Sequence, residues 1–145
     1  MKLESDLKEF VELLSAHEVR FVIVGAFAVA FHGYPRYTAD LDIYVDTTIE
    51  NAERLVSALE RFGFGQVGLT VADFTQADQV VQLGVSPNRI DLLTFLSGVS
   101  FEEVWRTRES GELDGSQVAF ISRDLLRRNK AASARPQDLA DLEHL

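Results

Sequence analysis

An acidic pair set into an apolar run constrains this chain more than any other feature. In the stretch from Phe21 to Asp46, FVIVGAFAVAFHGYPRYTADLDIYVD, the carboxylates Asp40 and Asp42 alternate with Leu41, Ile43 and Val45. The stretch reads as an apolar strand, a glycine turn at Gly25, a short helix over Ala26 to Phe31, a loop carrying Arg36 and Thr38, and a second strand. Side chains on a strand alternate faces, so Asp40 and Asp42 point the same way, roughly 6 to 7 Å apart, while Leu41, Ile43 and Val45 point into a core. Two like charges on one face of such a strand repel and lose hydration, a cost that a bound divalent cation reverses. The amides of the Gly25 turn, at a helix start, favour an anion such as phosphate above the same strand.

The rest of the chain supplies elements to pack around this unit. Leu3, Leu7, Phe10, Val11 and Leu14 predict an amphipathic helix over 2 to 16, followed by a short buried strand from Arg20 to Val24. Thr47 and Glu50 have capping-box spacing for a helix with Ile49, Ala52, Leu55, Val56, Leu59 and Phe62 on its apolar side, ended by Gly63 and Gly65. Beyond it the pattern predicts strands over Val67 to Val71 and Gln79 to Val85, with an acidic loop around Asp73 and Asp78 between them. Pro87 and Asn88 make a turn before a strand from Arg89 to Phe95, which places a third acid, Asp91, in a strand interior. Ser100 and Glu103 cap another helix, Gly111 to Gly115 predict a hairpin leading to Val118 to Ile121, Ser122 caps a helix to about Ala134, and Pro136 starts a last one.

A chain of 145 residues with 46% hydrophobic residues is the size of one domain with a real core. The absence of cysteine rules out disulfides and thiolate metal sites and fits a reducing compartment. No apolar run approaches a membrane span, and the N-terminus is acidic and amphipathic, so a cytoplasmic location without membrane partners is expected. The net charge of −9 argues against broad binding to nucleic acid, although Arg123, Arg127, Arg128, Lys130 and Arg135 gather five of the 14 cationic residues near the C-terminus.

Strand, glycine turn, helix, loop, Asp-x-Asp strand and a later strand with a lone acid is an order that resembles the nucleotidyltransferase superfamily. The likeness is closest to the small bacterial nucleotidyltransferase-like proteins of toxin-antitoxin and phage-defence loci. It is carried by Val24, Gly25, Ala26, His32, Gly33, Pro35, Arg36, Thr38, Asp40, Leu41, Asp42 and Asp91, and by the tail Asn129-Lys130 to Arg135, Asp138 and Asp141. The resemblance implies an α/β domain over 1–145, with a nucleotidyltransferase-type mixed sheet flanked by helices, a core over about 18–96 and a C-terminal helical extension over about 100–145. It implies transfer of a nucleoside monophosphate from a nucleoside triphosphate to a hydroxyl acceptor, with release of pyrophosphate. Asp40, Asp42 and Asp91 would be the catalytic and metal-holding residues, with Mg²⁺ or Mn²⁺ as the cation. Gly25, Ala26, Arg36, Thr38, Lys130 and Arg135 would bind the nucleotide. The acceptor would be a protein, an RNA end or a small molecule, with RNA disfavoured by the acidic charge, and a cognate toxin or antitoxin protein would be a partner.

Two departures from that pattern matter. Many relatives carry Ser or a second Gly where Ala26 stands, so phosphate binding here would rest on backbone amides and cations. The chain is also short of the extra helical domains that larger polymerising relatives use. Each residue has a plainer reading as well. Asp40 and Asp42 fit solvated acids on an edge strand, and Asp91 fits a buried salt bridge with Arg89 or Arg36. Arg36 fits a structural pair, His32 a helix-end group, and Lys130, Arg135, Asp138 and Asp141 a surface ion network. At the level of function, the competing readings are an antitoxin or interaction module on the same fold, and a nucleotide-binding regulator that has lost transfer.

Overall fold

The fully buried strand at Phe21–Val24 stands at the centre of the architecture. The structure, a computed structural model, describes residues 3–35, 38, 40–62, 68–85 and 89–145. In chain order its elements are α1 (Ser5–Ala16), β1 (Phe21–Val24), α2 (Gly25–Phe31), β2 (Asp40–Val45), α3 (Ile49–Phe62), a 3₁₀ turn (Val71–Phe74), β3 (Val80–Leu83), β4 (Arg89–Leu93), α4 (Phe101–Arg106), β5 (Glu109–Leu113), β6 (Ser116–Phe120), α5 (Arg123–Ser133) and α6 (Pro136–Leu142). Among the described residues the strands form one sheet in the order β3-β4-β2-β1-β6-β5. It is mixed: β2 runs parallel to β4 and β1 parallel to β6, while the other neighbours are antiparallel. All four residues of β1 are buried, as expected for a central strand covered on both faces. Among the described residues no helix is long and apolar enough to cross a membrane.

Most expected elements are present, and three differ for identifiable reasons. The strand expected over Val67 to Val71 is not formed in its described part. Residues 68–70 have no regular structure, and Val71 opens the 3₁₀ turn, because the Asp73 carboxylate accepts the Thr70 amide at 2.7 Å and closes a capping box. Such local side-chain bonds offer the backbone an alternative to a strand ladder. The cap of α3 is Thr48 instead of Thr47: its hydroxyl accepts the Asn51 amide at 3.3 Å. Asn51 sets that register, because its buried side chain accepts from the Arg20 amide (2.6 Å) and donates to the carbonyls of Arg20 (3.1 Å) and Asp46 (2.9 Å). That one amide ties the start of α3 to the outer ends of β1 and β2.

The stretch expected as a C-terminal helical extension is the third difference, since it contributes β5 and β6 to the main sheet, with β6 beside β1. Its hairpin turns at Asp114 and Gly115, both at positive φ, while Gly111 lies inside β5. The helix caps at Ser100 and Ser122 and the start of α6 at Pro136 stand where the spacing put them. Gly63, Gly65, Pro87 and Asn88, expected to end α3 and to turn into β4, lie outside the described residues.

Candidate active site

The three acids meet because of strand register. Parallel pairing of β2 with β4 sets Asp40 beside Arg89 and Asp42 beside Asp91, and antiparallel pairing with β1 sets Asp42 beside Val24. Asp42 therefore has a second carboxylate on one flank and the β1–α2 turn on the other. Gly25 in that turn has φ +67°, and a Cβ there would overlap Oδ2 of Asp42. Glycine thus serves two ends: it permits the left-handed turn and leaves the volume that the Asp42 carboxyl occupies.

The electrostatics follow from this crowding. Burial, then the neighbouring Asp91 charge and a hydrogen bond to Asp91, push Asp42 up to about 7, with Asp40 adding to the rise and Lys130 opposing it. Asp42 is therefore the carboxyl that keeps its proton towards neutral pH. The other neutralising group is Arg89, whose Nη2 lies 2.8 Å from Oδ2 of Asp40 and 3.2 Å from Oδ2 of Asp91, and whose Nε lies 3.1 Å from Oδ1 of Asp91. The salt bridge weighed for Asp91 is thus present, and it takes in Asp40 as well.

Above the acids lies a cleft of about 900 Å³, within the ~300–1,000 Å³ range of small-molecule sites. Gly25, Ala26, Thr38, Asp40, Asp42, Asp91, Lys130 and Arg135 all line it. Arg36, the remaining expected nucleotide ligand, lies outside the described residues. Thr38 accepts the Asp40 amide at 3.2 Å, which shapes the entry to β2.

One wall is built by α5 and α6. The side chain of Lys130 is 6% exposed, and its Nζ stands 3.1 Å from Oδ1 of Asp138 and 3.0 Å from Oδ2 of Asp141. Arg135, 77% exposed, places Nε 2.8 Å from Oδ2 of Asp138. Burial pushes Asp138 up, but hydrogen bonds from Arg135 and Lys130 outweigh it and hold the carboxyl below its ordinary value. Of the two readings of this tail, a surface ion network does not fit Lys130, Asp138 and Asp141, which are buried, while Arg135 stays exposed. The reason is the set of α6: its acidic residues Asp138 and Asp141 are buried, while Leu139 faces out. The loop after β4 fixes α5 to the sheet, with Nδ2 of Asn129 donating to the Ser97 carbonyl at 3.0 Å. Nε2 of His32 donates to the Ile121 carbonyl at 2.7 Å, in keeping with a structural role at the end of α2.

Sequence reasoning missed part of this cleft. Arg89 was legible only as a partner for Asp91, although two residues' separation on one strand puts both side chains on one face. The opposite wall, with Val80, Leu93 and a half-exposed Phe95, carries no motif, because it is made by the β3 edge and the segment leaving β4.

The donor set suits a hard divalent cation: three carboxylates, no sulfur, and a guanidinium standing as a cation between two of them. Among the described residues, no three acidic or imidazole groups converge at ligand spacing. Asp40 and Asp91 are spread around Arg89 instead.

No protein-family profile matches this chain, and no curated protein matches it. Among solved structures, it is similar to a crystal structure from Thermotoga maritima described as a candidate nucleotidyltransferase, with a TM-score of 0.64 and 14% sequence identity, covering 94% of this chain and 88% of that one. The six-stranded mixed sheet, its flanking helices and the C-terminal helices are thus the fold of that structure.

Proposed function

We propose that this chain is a nucleotidyltransferase that moves a nucleoside monophosphate from a nucleoside triphosphate to a hydroxyl acceptor. The observation that carries this reading is the register of β2 and β4, which crowds Asp40, Asp42 and Asp91 on the floor of a cleft whose wall holds Lys130 and Arg135. A scaffold gains little from setting three carboxylates side by side; a cation site does.

Asp40, Asp42 and Asp91 would hold Mg²⁺ or Mn²⁺. When bound, the cation supplies positive charge at the α-phosphate and lowers the pKa of the attacking hydroxyl. The acceptor oxygen attacks the α-phosphorus, its proton passes to Asp91, and the bond to the β-phosphate oxygen breaks to release pyrophosphate. Arg135, exposed at the mouth, offers a guanidinium to the outer phosphates, and Lys130 adds positive potential from behind its two carboxylates. The net charge of −9 favours a protein or small-molecule acceptor over an RNA end, and a cognate toxin or antitoxin is one such protein.

A thermal-shift panel of the four triphosphates with and without Mg²⁺ tests this. At 100 times its Kd a triphosphate stabilises the fold by about 2.7 kcal/mol, and Asp42→Asn should abolish the shift. No shift with any triphosphate would sink the reading. A second reading, binding and regulation without transfer, is favoured by the hold of Arg89 on two acids and by Ala26 in the turn. Metal-dependent triphosphate binding without pyrophosphate release would select it.

A further inference from the structure

Arg89 is placed where a cation would have to go. It opens β4 directly beside Asp40 and shares a strand face with Asp91, so one guanidinium spans the gap between β2 and β4. Its contacts fall on Oδ2 of Asp40 and on both oxygens of Asp91, carboxylate oxygens of the kind that would hold a hard divalent ion. Its side chain is 33% exposed at the floor of the cleft, on a long stem that allows the head to leave while the backbone stays in the ladder.

We propose that Arg89 is a resident counterion: in the free protein it holds Asp40 and Asp91 apart from any metal, and it yields them only when the cation arrives with a polyphosphate. This rests on the nucleotidyltransferase reading and adds a rule for loading. A guanidinium displaced from two carboxylates needs another anion, and the triphosphate brings one, to which its planar fork of donors is well matched. Metal and triphosphate then bind with strong positive coupling, and the bare cation binds poorly. Arg89 acts as a positioning residue, since it sets when the acids become available.

The test is a Mn²⁺ titration, read by the loss of free-ion electron paramagnetic resonance signal, on wild type, Arg89→Gln and Arg89→Lys. Each is titrated with Mn²⁺ alone and with a mixture of the four α,β-methylene ribonucleoside triphosphates. Wild type should bind bare Mn²⁺ at least about tenfold more weakly than Arg89→Gln, and the added triphosphates should tighten Mn²⁺ binding far more in wild type than in the variant. Arg89→Lys keeps the charge but cannot bridge two strands with a fork, and should fall between the two, which covers the case in which Arg89→Gln fails to fold. Bare Mn²⁺ bound no more tightly by either variant than by wild type would overturn the proposal while leaving the nucleotidyltransferase reading intact, provided wild type binds Mn²⁺ with the triphosphates. Absence of Mn²⁺ binding under every condition would overturn both.

Discussion

A methyl group on Gly25 would run into the Asp42 carboxyl, its carbon only 2.9 Å from Cγ and closer still to Oδ2. Turn and acid are thus one steric unit, although they belong to different elements.

Gly25→Ala should accordingly do two things. The left-handed backbone costs a non-glycine residue about 1 kcal/mol, and the overlap forces Asp42 out of place. Denaturant unfolding should show a loss of roughly 2 kcal/mol, accompanied by loss of metal-dependent triphosphate binding. Combined with Asp42→Ala, the two stability losses should be clearly less than additive, since the second change removes what the first collides with. Additivity would mean that the two residues do not share the space.

The raised titration of Asp42 makes stability depend on pH in a defined direction. The folded value of Asp42, about 7, lies above the ordinary 3.8. Between these values the folded chain keeps a proton that the unfolded chain has lost, so stability is greatest at the acid end and falls as pH rises, by on the order of 1 kcal/mol per pH unit, levelling off above 7. Urea unfolding of the metal-free protein at pH 5, 6, 7 and 8 should follow that slope, and Asp42→Asn should flatten it. An equally steep slope in the variant would place the titration elsewhere.

Lys130 is expected to matter first to the fold. Removing the buried cation that Asp138 and Asp141 share breaks two interior ion pairs at once, at a cost of about 3 to 5 kcal/mol. Lys130→Met should show this loss near neutral pH, and the triple change with Asp138→Asn and Asp141→Asn should recover much of it. Triphosphate affinity is then best compared between wild type and Arg135→Ala, whose exposed head can be removed with less disturbance; the variant should bind triphosphate about tenfold more weakly than wild type does, with monophosphate affinity barely changed.

Asn51→Ala tests the frame instead of the site. It strands the Arg20 amide and takes Nδ2 from the Asp46 carbonyl, while the Arg20 carbonyl keeps the Asp46 amide at 3.3 Å, so a destabilisation of roughly 2 kcal/mol is expected, with nucleotide affinity unchanged at temperatures where the variant is folded.

What could be read from the chain divides along physical lines. Alternation around Asp40 and Asp42 and the apolar runs of β1 and β4 report burial directly, so the strands that carry the acids were legible, as were caps written in local spacing, such as Ser100 with Glu103 and Ser122. Features that depend on what lies across the sheet were not. Nothing local distinguishes a Lys130 facing solvent from one clasped by α6, and the polar cap pattern at Thr47 and Thr48 is ambiguous until Asn51 is seen reaching Arg20. The pairing of Asp42 with Asp91, and hence the place of Arg89, required a register that no single strand contains.

That register also bears on how the molecule comes to exist. β2 and β4 are separated in the chain by α3, the 3₁₀ turn and β3, so their contact is long-range and closes late compared with any helix. The carboxylates approach one another during that closing step, and above neutral pH their repulsion opposes it. The acids are thus a brake on folding as well as a floor for the cleft. An unfolded chain has only scattered carboxylates and no means to hold a cation tightly, so Arg89, which travels on β4 itself, is the counter-charge that arrives with the strand that needs it.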